Sequence, residues 1–203
     1  MHFKNTVKLS GDASHRIFFR DKKNNSIIVY TKKEKKKNLL VYIAINNLLN
    51  KNKILTPQLI SEKYKKNYII IEDLGNQTVL KKFKNYNINN YVKIFKTLEK
   101  FKSVKTRKIK TFLKTNYILR NYSNNELIKE AKLFSEWYMP QIIRKNITQV
   151  QKLYIKIVKK LILDLKLKKK VFVHRDFHFS NMMIKKNKIY LIDSQDAVFG
   201  NEA

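Results

Sequence analysis

The chain has no cysteine, three glycines, two prolines and one tryptophan among 203 residues, and only 15 acidic side chains against 45 lysines and arginines. Without cysteine, disulfides and thiolate metal sites are excluded, and a reducing compartment is compatible with the sequence. No stretch reaches about 18 consecutive apolar residues, so no membrane span is expected. The N-terminal "MHFKNTVKLSGDAS" has no apolar run of signal-peptide length, so the expected location is the cytoplasm. With glycine this scarce, Gly11, Gly75 and Gly200 are expected where the backbone needs them.

The scarcity of acid leaves a net charge of +30. A charge of that size invites a nucleic-acid reading. Yet the lysines are spread along the whole chain beside abundant Asn and Ile, a combination that an AT-rich coding sequence produces. A nucleic-acid specialist clusters its charge and interleaves aromatics on one face. Runs such as "TKKEKKKN" and "KLKKK" therefore read as solvated surface, and nucleic acid is not the expected partner. Hydrophobic residues make up 43% and aromatics 12%, enough for a real core and too many for a disordered polymer.

The first part of the chain is β-rich. "HRIFFR" (15–20) and "SIIVYT" (26–31) are short β-branched and aromatic runs separated by a hairpin-like "DKKNN". A helix is expected over 35–51, with Leu40, Ile43, Ala44 and Leu48 at helical spacing, followed by two strands in "QLISEK" and "NYIIIEDLG". After Gly75 the pattern changes to long amphipathic helices: 87–103, a second beginning at Ser123 with Glu126 at capping-box spacing, and a third over 147–167. The second carries Leu127, Ala131, Phe134 and Tyr138 on one stripe, and Trp137 is expected to pack inward. The third repeats Val150, Leu153, Ile157, Leu161 and Leu165. Two short strands, 171–173 and 188–192, close the chain. The expected fold class is α+β: a two-lobe arrangement with a small mixed sheet over residues 1–75 and a mainly helical lobe over 76–203.

Between the last two strands stands "HRDFHFSN", in which Asn181 follows Asp176 by five positions, the spacing of the His-Arg-Asp-x-x-x-x-Asn catalytic loop of protein kinases. Phosphoryl transfer needs this set. One carboxylate orients an acceptor hydroxyl and takes its proton, an amide oxygen nearby holds Mg²⁺, and a second carboxylate bridges metal and phosphates. Asp193, at the end of the strand "KIYLID", meets the last need, and Asp196 adds another acid beside it. His174 orients the loop, and His178 either touches substrate or buttresses the loop. A positive field also favours an anionic nucleotide.

The chain resembles the aminoglycoside phosphotransferase and choline kinase superfamily, whose loop reads His-x-Asp-x-His-x-x-Asn. Within it, "GDASHRIFFR" (11–20), "IIIEDLG" (69–75), "NELIKEAKLFSEWYM" (125–139) and "VFVHRDFHFSNMM…IDSQDAVFGN" (171–201) are similar to bacterial anomeric N-acetylmuramate/N-acetylglucosamine kinases of cell-wall recycling. The resemblance implies a protein-kinase-like fold, ATP and Mg²⁺ as cofactors, and a sugar hydroxyl as acceptor. It implies that Gly11, Asp12, Ala13 and Ser14 form the loop over the ATP phosphates and that Glu72, Asp73 and Leu74 form the hinge beside the adenine. It makes Asp176 the catalytic base, Asn181 and Asp193 the metal ligands, and His178, Glu130 and Asp196 candidate substrate contacts. An aminoglycoside- or choline-type kinase, a non-catalytic fragment and a basic nucleic-acid-binding protein are the alternatives.

Two departures stand out. The strand lysine that many kinases pair with a helix glutamate is missing: Tyr30 and Thr31 occupy that region and the following helix holds no glutamate. Arg16, Arg20 and the late lysines Lys32 and Lys33 are the candidates to replace it. Relatives also continue well past the metal aspartate, so the sequence is expected to be truncated at its C-terminus, with apolar helix faces left exposed.

Overall fold

The computed structural model describes residues 3–9, 15–82, 88–164 and 170–201, so the loop candidates Gly11, Asp12, Ala13 and Ser14 lie outside the described residues. Strands β1 (Thr6–Lys8), β2 (Arg16–Asp21) and β3 (Ser26–Thr31) form a meander, each pair antiparallel. The β2–β3 turn is shaped by Asp21, whose carboxylate accepts from the main-chain N–H groups of Lys23 and Asn24 and from the Asn24 amide, while Asn25 takes a left-handed φ of 48°. Asparagine is among the few residues that adopt this conformation readily. Those bonds, chiefly from Asn24, hold the Asp21 carboxyl below its ordinary pKa.

Helix α1 (Lys37–Lys51) follows, then β4 (Leu59–Lys63) and β5 (Tyr68–Glu72). The order β1-β2-β3-β5-β4 makes the sheet antiparallel throughout, which corrects the expected mixed sheet. The physical reason lies in the crossover. Helix α1 returns β4 in the same direction as β3, but the β4–β5 hairpin folds β5 into the space between them, so no parallel neighbours meet. In the register Ile27 faces Ile71 and Val29 faces Ile69. These four pack on Leu39, Tyr42 and Ile43 of α1, at helical spacings of three and four. Full burial of each such aliphatic side chain contributes about 1.5–3 kcal/mol.

Short helix α2 (Val79–Lys82), helix α3 (Ile88–Phe101) and the hairpin of β6 (Lys108–Lys110) and β7 (Asn116–Ile118) come next. The chain divides into two compact units, the first comprising Met1–Leu119 and Phe172–Ala197, the second Arg120–Val171 and Val198–Ala203. This division does not fall at residue 75. Within the first unit the late segment is bonded directly to the early one: Leu191 N–H donates to the Leu55 carbonyl (2.8 Å) and Ile184 N–H to the Gln77 carbonyl (2.7 Å).

The second unit contains helix α4 (Asn124–Leu133), a π-helical turn (Phe134–Tyr138), α5 (Met139–Ile142) and α6 (Ile147–Asp164). Ser123 caps α4 through the reciprocal box with Glu126 that the spacing predicts. The π turn inserts a residue and rotates the following face. Ser135 and Met139 are the buried positions, Phe134 and Tyr138 are 43% and 53% exposed, and Trp137, expected inside, is 74% exposed. On α6, Leu153, Ile157 and Leu161 of the expected stripe are each at least half exposed, and Leu165 lies outside the described residues.

In the first unit, strands β9 (Met182–Lys185) and β10 (Lys188–Leu191) follow β8 (Lys170–Val173), a strand spanning the division. Lys186 and Asn187 link β9 to β10 as a two-residue turn with φ of 48° and 60°, the left-handed pair that a tight hairpin of this hand requires. The sequence places only the strands 171–173 and 188–192 here, so β9 is an addition. The last strand, β11 (Val198–Asn201), also unexpected, bridges Asn121 through Phe199 in the second unit.

Candidate active site

Strand β8 ends at Val173; His174 follows, and Arg175 takes a left-handed φ of 73° that turns the chain toward Asp176. Two short main-chain bonds then fold the loop on itself: His178 N–H to the Asp176 carbonyl (3.0 Å) and Asn181 N–H to the His178 carbonyl (2.9 Å). The Asn181 side-chain amide donates to the Asp176 carbonyl (3.1 Å) and contacts His178 Nε2 (3.1 Å). With its nitrogen so committed, Asn181 has its amide oxygen left to offer a cation. The Asn181 carbonyl accepts from Ile192 N–H (3.0 Å), which joins this loop to the strand leading into Asp193.

His174 is 1% exposed, against Phe101 and Phe177. Burial pushes the imidazole down to a pKa of about 4, so it is neutral at physiological pH. Asp176 is shifted the other way. Partial burial comes first, and the negative charges of Asp193 and Asp196 add to it, raising the carboxyl above its ordinary value. A carboxylate whose proton affinity is raised is a better acceptor for a hydroxyl proton.

Asp193 sits at φ 65°, another left-handed residue. Its carboxylate is held by Arg16 of β2, whose guanidinium lies 4.9 Å from the ring centre of Tyr42 and 5.5 Å from that of Phe18. The next residue, Ser194, is fully buried and donates to Asn46 Oδ1 of α1 at 2.7 Å.

Two cations hold the segment Glu72–Gly75. Arg20 reaches both carboxylate oxygens of Asp73 (2.6 and 3.0 Å), the Gly75 carbonyl (2.8 Å) and the Asn76 amide oxygen. Lys185 at the end of β9 donates to Glu72 Oε1 (2.7 Å) and to the Asp73 carbonyl (2.8 Å). Gly75 turns the chain at φ 81°, which any side chain would resist. Both carboxylates are thus committed to ion pairs, which leaves main chain and the apolar Leu74 of this segment facing the cavity.

Asp176, His178, Asn181, Asp193, Glu72, Asp73 and Leu74 all line one cavity of about 710 Å³ inside the first unit, floored by Phe18, Ile27, Ile71 and Met183. That volume lies in the range of small-molecule sites. Asp196 is exposed in the turn after Asp193, where Gln195 donates to it, and does not line the cavity. Glu130 belongs to the second unit, where the Tyr122 hydroxyl donates to it. The sequence reading did not find Lys185, Tyr42, Asn46 or Ser194; only a hairpin assigned to 182–191 would have aimed Lys185 at the hinge.

A donor set of one carboxylate and one amide oxygen suits Mg²⁺ carried on phosphates better than a protein-built metal cage. No group of three or more His, Asp or Glu able to hold a metal occurs among the described residues. No helix of the described residues is long and apolar enough to cross a membrane.

Comparison with known proteins bears on this geometry. The model of the phosphotransferase enzyme family, APH, matches residues 5–203. The chain is 28% identical over 194 residues to an N-acetylmuramate/N-acetylglucosamine kinase of Pseudomonas putida, covering 94% of this chain and 55% of that protein. It is 24% identical to the protein of the same name from Neisseria meningitidis serogroup B, covering 94% and 56%. The chain therefore spans about half the length of the curated relatives it matches. Among solved structures, the streptomycin–ATP–APH(2″)-IIa ternary complex superposes with a TM-score of 0.62 at 15% identity, over 97% of this chain and 67% of that one. Choline kinase LicA from Streptococcus pneumoniae gives 0.62 at 15%, over 98% and 66%. These two likenesses establish a protein-kinase-like α+β fold.

Proposed function

This chain belongs to the phosphotransferase enzyme family, and we propose that it transfers the γ-phosphoryl group of ATP to a hydroxyl of a small molecule. The observation that carries the proposal is the convergence of Asp176, Asn181 and Asp193 on one cavity that Glu72, Asp73, Leu74 and Gly75 also line. In this reading the adenine lies against Leu74 and the hinge main chain, and Gly11, Asp12, Ala13 and Ser14 cradle the phosphates with their N–H groups. The nucleotide lobe is then residues 1–75 and the catalytic lobe 76–203, a functional division distinct from the two compact units.

The acceptor oxygen forms a bond to the γ-phosphorus as the bond to the β–γ bridging oxygen breaks, and ADP leaves. The acceptor's proton passes to the Asp176 carboxylate, whose raised proton affinity suits it to that task. Asn181 and Asp193 would hold Mg²⁺, which would supply positive charge against the β- and γ-phosphates. Most of the rate comes from positioning and charge stabilisation, because phosphoryl transfer needs no covalent step on the protein.

For the acceptor, the anomeric hydroxyl of N-acetylmuramate or N-acetylglucosamine is supported by the names of the relatives from Pseudomonas putida and Neisseria meningitidis. His178, which lines the cavity two residues past Asp176, is the substrate contact of this reading. The test is Mg²⁺-dependent ADP release from the purified chain with each sugar, an aminoglycoside and choline as competing acceptors. Sugar-dependent release that choline and the aminoglycoside do not share supports the assignment. Release stimulated by choline or the aminoglycoside alone would refute the sugar and keep the phosphotransferase. Release with none of them would refute both.

A further inference from the structure

We infer that Arg16 is a positioning residue for Asp193: it holds one carboxylate oxygen from the buried side so that the other is aimed at the metal on the nucleotide. The inference rests on the phosphotransferase reading and goes beyond it, because it assigns the work of the missing strand lysine to a different strand and a different target.

Lys81 lines the cavity as an exposed side chain; the candidates for the missing lysine, with Lys185, can be sorted by what they touch. Arg20 is committed to Asp73, Asn76 and Gly75, and Lys185 to Glu72 and the Asp73 carbonyl. Lys32 and Lys33 are exposed beyond the end of β3, and Thr31, at that end, is buried with its hydroxyl on the His15 carbonyl. Arg16 alone among these cations reaches an acid of the catalytic loops. Its side chain is 3% exposed, whereas that of Asp193 is 36% exposed. Asp193 lines the cavity and Arg16 does not, so the guanidinium approaches from behind the carboxylate. Helix α1 supports the arrangement with two side chains one turn apart. Tyr42 places its ring against the Arg16 guanidinium, and Asn46 accepts from Ser194, the residue after Asp193. Burial raises the Tyr42 pKa, so the phenol stays neutral and offers the cation its ring face. Where other kinases link sheet, helix and phosphate through a lysine and a glutamate, this chain has no acid in α1 and links sheet, helix and metal ligand through Arg16, Tyr42 and Asn46.

A guanidinium behind a metal carboxylate fixes its rotamer, as outer partners of metal ligands do, and losing such a partner typically costs about 10–100-fold in metal affinity. The experiment uses the full chain with ADP and Mn²⁺ in place of Mg²⁺, reading bound Mn²⁺ by the loss of the free-ion electron paramagnetic resonance signal. ADP binding in EDTA is measured alongside by calorimetry. Arg16→Gln is expected to weaken Mn²⁺ binding in the ADP complex by at least about tenfold while metal-free ADP affinity stays within about twofold. Arg16→Lys, which keeps a buried cation, is expected to fall between Arg16→Gln and wild type, and it carries the test if Arg16→Gln lacks the wild-type circular dichroism spectrum. Mn²⁺ affinity equal to or above wild type in both variants would overturn the inference. So would an equal loss of metal-free ADP binding, which would make Arg16 a nucleotide ligand. If the wild-type chain binds neither ADP nor Mn²⁺·ADP, the phosphotransferase reading itself fails, a result distinct from either of these.

Discussion

The side-chain amide of Asn181 donates to the main-chain carbonyl of Asp176 at 3.1 Å, so the two residues five apart in the catalytic loop are one braced unit. In the proposed reading the brace would turn the amide oxygen of Asn181 to a cation, because the nitrogen is occupied. Replacing Asn181 with alanine removes both the brace and the oxygen. Metal-dependent turnover is expected to fall by about 10–100-fold, with a rise in the Mg²⁺ concentration needed for half-maximal rate. A magnesium titration of the initial rate checks it.

Asp176 carries two opposed consequences of its surroundings. Its carboxyl is raised above the ordinary value of 3.8 by partial burial and by Asp193 and Asp196. A carboxyl whose folded pKa lies above its unfolded one detracts from stability once pH rises above the unfolded value. Asp176→Asn is therefore expected to leave the melting temperature unchanged or raised while turnover drops by about 10²–10⁴-fold. Calorimetry and an ADP-release assay on the same preparation check both, and the acid limb of the wild-type pH–rate profile should fall above 3.8.

His174 gives the fold an acid sensitivity of its own. With the folded pKa depressed to about 4 from 6.5, the folded state binds fewer protons than the unfolded chain between those values. The stability that the neutral ring contributes is complete above pH 6.5 and is lost as pH falls toward 4, up to about 3 kcal/mol in all. Denaturant unfolding at a series of pH values should show this slope, and His174→Leu should flatten it by roughly one proton.

The hinge depends on Arg20. Its guanidinium and the Asp73 carboxylate are each only 13–14% exposed, so removing one partner strands the other out of water. Arg20→Met is expected to destabilise the chain by about 3 kcal/mol and to weaken ADP binding, because Arg20 also holds the Gly75 carbonyl. Urea unfolding and calorimetric ADP titration check it.

Much of this was readable in the sequence where local signals and global fold agree. Strands β2 to β5, helix α1 and the Ser123 cap follow from alternation, helical spacing and one capping box. Asp176, Asn181 and Asp193 were singled out by the five-residue spacing in the loop and by an acid after the run "KIYLI", and the structure brings all three to one cavity. The antiparallel sheet was not legible, because strand order depends on where β5 inserts and not on its composition. The hairpin β9–β10 was hidden by a Lys186-Asn187 turn without glycine. Trp137 was misplaced by the π turn, which shifts the phase of a helix without leaving a sequence signal. The pairing of Arg16 with Asp193 was not legible, because the two are 177 residues apart and the sequence offered Arg16 only as a stand-in for the missing lysine.

The most direct test of the central claim is phosphorus NMR of the purified chain incubated with Mg²⁺, ATP and N-acetylglucosamine or N-acetylmuramate, beside the same chain carrying Asp176→Asn. The account predicts a sugar 1-phosphate resonance growing with that of ADP in the wild-type chain and absent in the variant. A folded wild-type chain that yields no sugar phosphate, or a variant that yields it at the wild-type rate, would contradict it.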